Sequence, residues 1–278
     1  MGVGQHALGL GAYHGSANVE RSGATRCRIA LPAPPVGDAT MAATWSETDM
    51  DHHPKAHPGK QDTSDPPPQS LGEEIANSVT HGIGTALSIA ALVLLVVFAS
   101  KYGDAWRIVS FSIYGTTLIL LYLASTLYHS FTGKRIKRFF RLLDHSSIYL
   151  LIAGTYTPVA LISLRGPWGW TLFGIVWAMA IGGIVAKVFL VGRLRIVSVL
   201  YYAAMGWLVV IALKPVLEAV PVGLFVWLLA GGLCYSLGIV FFAWKRLPYH
   251  HAIWHLFVLG GSISHFFGML FYLTAKST

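Results

Sequence analysis

IANSVTHGIGTALSIAALVLLVVF, residues 75–98, is an apolar stretch without a single Asp, Glu, Lys or Arg. An α-helix needs about 20 such residues to cross the ~30 Å hydrocarbon layer of a bilayer. Six more apolar stretches follow: Trp106 to Tyr128, Leu143 to Leu164, Trp168 to Val191, Ile196 to Leu213, Val222 to Ala243 and Ala252 to Leu273. They are too long for membrane strands and lack a two-residue alternation. The sequence predicts an all-α integral membrane protein with a bundle of seven transmembrane helices.

Composition agrees with a membrane environment. The chain is 54% hydrophobic and 12% charged, whereas soluble domains carry about 25% charged residues. The formal net charge of +8 comes mainly from Lys and Arg between the apolar stretches, where such residues orient helices and face anionic lipid. Membrane lipids are therefore the predicted partners, and no nucleic acid is expected. Cys27 and Cys234 are the only cysteines, which excludes a disulfide framework and a cysteine-type zinc site.

Residues 1–70 differ from the rest of the chain. They contain only seven Leu, Ile, Val or Phe and carry proline runs such as Asp65-Pro-Pro-Pro. Such a segment buries too little apolar surface to fold. The predicted organisation is a disordered tail, residues 1–70, followed by a membrane domain, residues 71–278.

Basic residues predict the orientation of the bundle. An odd number of spans puts the termini on opposite sides, and the side rich in Lys and Arg faces the cytosol. Outside the tail itself, the side of the tail carries ten such residues: Lys134, Arg135, Lys137, Arg138, Arg141, Lys187, Arg193, Arg195, Lys245 and Arg246. The other side carries five: Lys101, Arg107, Arg165, Lys214 and Lys276. We therefore predict a cytosolic N-terminus, an outside C-terminus and a multi-pass location in the plasma or inner membrane.

Ionisable side chains are costly in lipid and therefore mark functional sites. In the predicted topology, the polar side chains of four helices fall at one depth, toward the cytosolic side. Glu74, Asn77 and His81 open the first helix, Ser125 and His129 end the second, Asp144 and His145 open the third, and His250, His251 and His255 open the seventh.

The spacing of these residues indicates a metal site. His251 and His255 are four residues apart and share one helical face, so both can bind one ion from the same side. His129 can supply a third nitrogen from the second helix. Three nitrogens with a fourth position open to water form the catalytic type of zinc site. Asp144 would accept a proton from that water, and Ser125 would hold a substrate oxygen or support a ligand.

Each residue also has a structural interpretation. A lone His at a helix end is usually interfacial, and Ser125 alone would be a helix-packing residue. Asp144 alone would pair with Arg141 equally well. Glu74, Asn77 and His81 share a face and are expected to cap, orient and hydrogen-bond the site rather than bind metal. His265 is a packing or relay residue, since it lies about 15 Å beyond His255 along the helix.

The motifs also carry a resemblance to a known family. The motif residues are Glu73-Glu-Ile-Ala-Asn77 with Thr80-His81, Ser125-Thr-Leu-Tyr-His129, Asp144-His-Ser-Ser-Ile-Tyr with Gly154-Thr-Tyr-Thr-Pro158, and His251-Ala-Ile-Trp-His255. In this order they resemble the hemolysin III branch of the progestin and adiponectin receptor family, over about residues 71–275.

The resemblance implies a seven-helix bundle with a cytosolic N-terminus and an intramembrane zinc held by His129, His251 and His255. It also implies ceramidase-like amide hydrolysis, with Asp144 contacting zinc through water and Ser125 close by. Bacterial members of the family are named for cytolysis, and some are linked to membrane-fluidity homeostasis.

Three functions follow as hypotheses. The first is a zinc-dependent hydrolase of a lipid amide or ester, which affects lipid homeostasis. The second is a non-catalytic membrane regulator or a cytolysin with structural zinc. The third, a proton-coupled transporter, is disfavoured because it needs a polar path across the bilayer.

Overall fold

A computed structural model describes residues 69–189 and 195–275 of the chain. The predicted tail up to residue 68 lies outside the described residues, and so do Val191, Arg193 and Lys276. The boundary between tail and membrane domain stays a prediction. Within the described part, helix α1 begins at Leu71, directly after the N-cap residue Ser70.

All regular structure among the described residues is helical. The α-helices are α1 (Leu71–Tyr102), α2 (Ala105–Ser130), α3 (Lys134–Pro158), α4 (Pro167–Phe189), α5 (Arg195–Gly206), α6 (Leu213–Ala219), α7 (Val222–Ala243) and α8 (His250–Leu273). Together α5 and α6 form the fifth span, and α7 and α8 are the sixth and seventh. The described residues thus contain seven spans of a length and hydropathy suited to a membrane, and the predicted seven-helix fold is confirmed.

The start of α3 corrects the sequence prediction. The helix begins at Lys134 rather than Leu143, so Asp144 and His145 lie in its third turn and do not open it. Hydropathy detects only the apolar part of a helix, whereas residues 134–142 are mostly Lys, Arg, Phe and Leu, which propagate a helix outside the hydrocarbon. An ion pair between Lys137 and Glu74 connects this N-terminal extension of α3 to α1.

Two prolines explain the irregular spans. After Pro158, helix α3 continues as a π-helical turn, Val159–Ser163. In the fifth span, a 3₁₀ turn, Leu208–Ala212, separates α5 from α6. Pro215 lies in the first turn of α6, where proline is tolerated, but it would clash with the carbonyl group four residues earlier in a continuous helix. The span therefore breaks and restarts just before this proline.

Helices α1, α2, α3 and α8 pack around a common core. Its largest fully buried side chains include Phe111, Tyr114, Tyr122 and Met269. Many apolar side chains of the same helices, such as Val93, are exposed on the outer surface, as expected of a surface solvated by lipid tails. The buried polar side chains concentrate between these four helices, where they form the candidate site.

Adjacent glycines on α8 provide a test of this packing. A methyl group on Gly261 would lie 2.8 Å from the ring of Tyr235, whereas Gly260 has only Cys234 Sγ at 4.0 Å. Overpacking typically costs about 1–3 kcal/mol, and alanine is favoured over glycine in a helix by about 1 kcal/mol. We expect Gly261→Ala to lower the thermal unfolding temperature of the purified protein and Gly260→Ala to leave it unchanged or raise it. Equal effects of the two substitutions would contradict this packing.

Candidate metal centre

Three histidines meet between α2 and α8. His129 lies in the last turn of α2, and His251 and His255 lie in the first two turns of α8. Each contributes one ring nitrogen to a group whose members all lie within 4.8 Å of one another. The four-residue spacing on α8 places its two imidazoles on one helical face, opposite the end of α2. The structure therefore brings together the three residues that the sequence predicted as metal ligands.

One ring nitrogen of each histidine has no protein partner in the described part of the chain. Nε2 of His129, His251 and His255 is buried in each case and makes no hydrogen bond there. A buried polar atom without a partner normally costs about 1–3 kcal/mol. Three histidines this close together could hold a metal ion, because each unpartnered nitrogen can offer a lone pair.

Contacts of the other ring nitrogen, Nδ1, in His129 and His255 favour the tautomer in which Nε2 carries the lone pair. His129 Nδ1 lies 2.7 Å from Glu74 Oε2, so its N–H donates a hydrogen bond to the carboxylate, and in the neutral ring the lone pair is on Nε2. His255 Nδ1 lies 3.4 Å from Thr80 Oγ1. The Thr80 hydroxyl donates to backbone oxygens of its own helix, so its oxygen accepts from the His255 ring. Metal-binding histidines are typically oriented in this manner.

Glu74 connects the metal centre to the start of α3. One carboxylate oxygen accepts from His129 and the other pairs with Lys137. The side chain of Glu74 is only 18% exposed. The positive charge of Lys137 therefore compensates the negative charge of a largely buried carboxylate. The sequence predicted an orienting role for Glu74, and the structure places its carboxylate 2.7 Å from the ring of His129. It gave no signal for Lys137, because the pair forms only when the extension of α3 reaches α1.

Removal of Glu74 is expected to weaken metal binding. We expect Glu74→Ala to lower zinc affinity about 10- to 100-fold, since the loss of a partner that orients a ligand has effects of this size. Competition with a chromogenic zinc chelator measures the affinity. Glu73→Ala is the matched control, because Glu73 contributes to the cap of the same helix. The assigned role is wrong if both variants lose affinity equally or neither loses any.

Asp144 and Ser125 lie beside the histidines. Both side chains are buried, and Asp144 faces Ser125 and His129. Ser125 Oγ is close to the carboxylate but makes no hydrogen bond of normal geometry within the described residues. The ring of His145 lies 3.6 Å from the Asp144 carboxylate.

Helix α1 contributes two more polar side chains. Asn77 Nδ2 donates to Gln69 Oε1 at 2.8 Å and lies 3.5 Å from His129 Nδ1; because this Nδ1 already donates to Glu74, Asn77 contacts the ring without a hydrogen bond to it. His81 stacks on His255 with ring centroids 3.5 Å apart. Both of its ring nitrogens are buried and lack a hydrogen-bond partner among the described residues. His81 supports the ligand ring and does not belong to the group of three that could hold an ion.

The bundle contains a deeper polar group that the sequence pattern did not reveal. Tyr122 donates to Ser262 Oγ at 2.7 Å, and Tyr235 lies 2.8 Å from the same oxygen. His265 is hydrogen-bonded to the carbonyl oxygen of Leu228 at 3.0 Å, which agrees with its predicted packing role. Tyrosines count as apolar in a hydropathy pattern, so the group is visible only in the fold.

Comparison with known proteins identifies the family. The model of the family described as "Haemolysin-III related" matches residues 69–266. The chain belongs to the haemolysin-III-related family. It is 56% identical to Hemolysin-3 of Bacillus cereus over 205 residues, which cover 74% of this chain and 94% of the relative. The Hemolysin-3 homolog of Bacillus subtilis (strain 168) is 54% identical over 203 residues, covering 73% and 95%.

A more distant relative is found in human. The human Monocyte to macrophage differentiation factor is 30% identical over 216 residues, which cover 74% of this chain and 87% of the relative. The sequence-based resemblance to the hemolysin III branch is thus confirmed. With its seven candidate spans, this family member is a multi-pass protein of the cell membrane. The residues matched by the family model include the whole candidate metal centre.

Proposed function

We propose that this haemolysin-III-related protein is a zinc-dependent hydrolase that cleaves an amide or ester bond of a membrane lipid. The observation that carries the proposal is a group of three histidines with ring nitrogens within 4.8 Å of one another, beside a buried carboxylate. The Nε2 atom of each histidine is buried and has no hydrogen-bond partner among the described residues. Structural zinc sites usually have four protein ligands, whereas catalytic sites have three and an open position. Among the described residues, the group that could hold an ion has three members.

His129, His251 and His255 would hold the metal. A set of imidazole ligands suits zinc and other late transition metals, and a tetrahedral zinc site accepts three nitrogens and a small fourth ligand. Zinc bound there would polarise a carbonyl oxygen and acidify a water molecule. Glu74 would keep the ring of His129, and Thr80 that of His255, in the tautomer that binds the ion.

Asp144 would move the proton. As a general base it would accept a proton from the attacking water, and as a general acid it would return that proton to the leaving amine or alcohol. Its position in the third turn of α3 places it inside the bundle and not at its surface. Ser125, whose hydroxyl is buried near this carboxylate, would donate a hydrogen bond to a substrate oxygen.

Lipid is the expected substrate because of the surroundings of the site. A cavity of about 1260 Å³ adjoins Asp144, His251 and His81. Most of its remaining wall is apolar, with Leu151 and Ile152 as examples, so it would hold an acyl chain and limit the access of bulk water. Hydrolysis of such a lipid would change the composition of the surrounding membrane, which links the site to lipid homeostasis.

The first test is an assay of fatty-acid release. The purified protein in neutral detergent is incubated with an N-acyl lipid and with a matched acyl ester, with and without a zinc chelator. We expect release that stops when the chelator removes the metal and resumes when zinc is restored. Metal-loaded protein that releases no fatty acid from any acyl lipid would favour the alternative, a membrane regulator or cytolysin with structural zinc, in line with the name of the Bacillus relatives.

A further inference from the structure

The charge of the cavity wall is unevenly distributed. Six basic residues line the cavity: Arg135, Arg138, Arg141, Lys187, Lys245 and Arg246. They come from the first half of α3, the end of α4 and the connection between α7 and α8. All of them lie on the side of the bundle that the charge count predicts to be cytosolic. The acidic residues of the described cavity wall are Glu73 and Asp144.

The opposite end of the cavity is apolar. Leu164, Leu172, Val216 and Phe225 line the wall there. Four basic residues on that side of the bundle have described side chains, and none of them lines the cavity: Lys101, Arg107, Arg165 and Lys214. The cavity is therefore amphipathic along its length, with a cationic end, His251 of the candidate metal centre and a long apolar part.

General orientation of the helices does not account for this distribution. The preference for basic residues on the cytosolic side does not require three separate elements to direct them to one cavity. Lys134 belongs to the same extension of α3 and lies outside the cavity wall, and Lys137 pairs with Glu74. Basic side chains around a cleft with low-dielectric walls concentrate anions there.

We propose that the ligand of this cavity is an acyl lipid with an anionic head group, a phosphate or a carboxylate. The head group would bind between Arg141, Lys187 and their basic neighbours, and the acyl chain would occupy the apolar part. Arg141 lies one helical turn before Asp144 on α3, and Lys187 is close to the same carboxylate. A bond adjacent to the head group would then lie beside Asp144. Only this last placement rests on the proposed hydrolase function.

Binding of matched single-chain probes tests the proposal. The full chain carrying Asp144→Asn, which prevents turnover, is titrated in neutral detergent with four oleoyl probes: lysophosphatidic acid, N-oleoylglycine, lysophosphatidylcholine and monoolein. Charge-assisted hydrogen bonds are about twice as strong as neutral ones. We expect the phosphate and carboxylate probes to bind at least about 10-fold more tightly than the zwitterionic and neutral probes, and the stronger of the two to identify the head group.

Paired substitutions locate the effect. Arg141→Gln with Lys187→Gln is expected to remove most of the preference for anionic probes, a loss of about 10-fold or more. Lys134→Gln with Lys214→Gln removes the same charge outside the cavity wall and is expected to preserve the preference. Equal binding of all four probes, or the same loss in both double variants, would overturn the proposal.

The outcome is separable from that of the hydrolase proposal. Tight binding of N-oleoylglycine by the Asp144→Asn protein, without release of oleate by the unmodified protein, supports the head-group assignment and contradicts hydrolysis of this probe. Release of fatty acid at equal rates from neutral and anionic lipids would separate the two proposals in the opposite direction. It would support the hydrolase and overturn the anionic head group.

Discussion

Replacement of His255 by Ala is expected to abolish stoichiometric zinc binding. The unmodified protein should hold about one zinc per chain, and a catalytic zinc site has only three protein ligands, so the loss of one leaves too few to retain the ion. His255 is almost completely buried, and its Nε2 has no partner among the described residues. Its Nδ1 is hydrogen-bonded to Thr80. Rotation of the ring away from the other two histidines would break that hydrogen bond.

The matched control for this variant is His250→Ala. His250 is the first residue of α8 and is not a member of the group that could hold an ion. Zinc is measured by plasma mass spectrometry after size-exclusion chromatography, which also shows whether each variant stays folded. Zinc retained by the His255→Ala protein, or lost equally from the His250→Ala protein, would disprove the assigned ligand set.

Asp144→Asn is expected to separate metal binding from turnover. The amide keeps the size of the carboxylate but cannot act as a general base, so release of fatty acid should fall about 10²- to 10⁴-fold. Zinc content should stay unchanged, because Asp144 is outside the group of three histidines. The assay compares initial rates on one acyl lipid at equal zinc occupancy.

Asp104→Asn provides the control for loss of an acidic side chain. Asp104 is the N-cap of α2 and pairs with Arg107 at 2.9 Å, and Asn is an equally good N-cap. Its activity should therefore match that of the unmodified protein. Full lipid turnover by the Asp144→Asn protein would exclude the acid–base role. If this protein loses turnover but cells that carry it have the same phenotype as cells with the unmodified protein, a non-catalytic regulator is favoured.

Much of this architecture was predictable because it depends on local sequence. The spans follow from the length of apolar stretches, and the sixth, Val222 to Ala243, agrees with the structure at both ends. The pair His251 and His255 follows from helical spacing, since four residues return to the same face. The predicted topology places His129, at the end of the second span, at the same depth as the start of the seventh, whereas the approach of these two helices is visible only in the structure.

Other features depend on tertiary contacts and were not predictable. The extension of α3 is charged, and its ion pair between Lys137 and Glu74 joins helices that are distant in sequence. The contact between Thr80 and His255 likewise requires α1 to approach α8. Threonine in a membrane helix ordinarily bonds its own backbone, so its type and spacing give no indication of a ligand-orienting role.

X-ray absorption spectroscopy of the unmodified protein, purified without added metal, examines the proposed binding of one zinc ion by three imidazoles between α2 and α8. We expect about one zinc per chain with three imidazole nitrogens at about 2.0–2.1 Å and one further light atom. Protein that contains no zinc, or zinc whose spectrum shows no imidazole scattering, would disprove this zinc site.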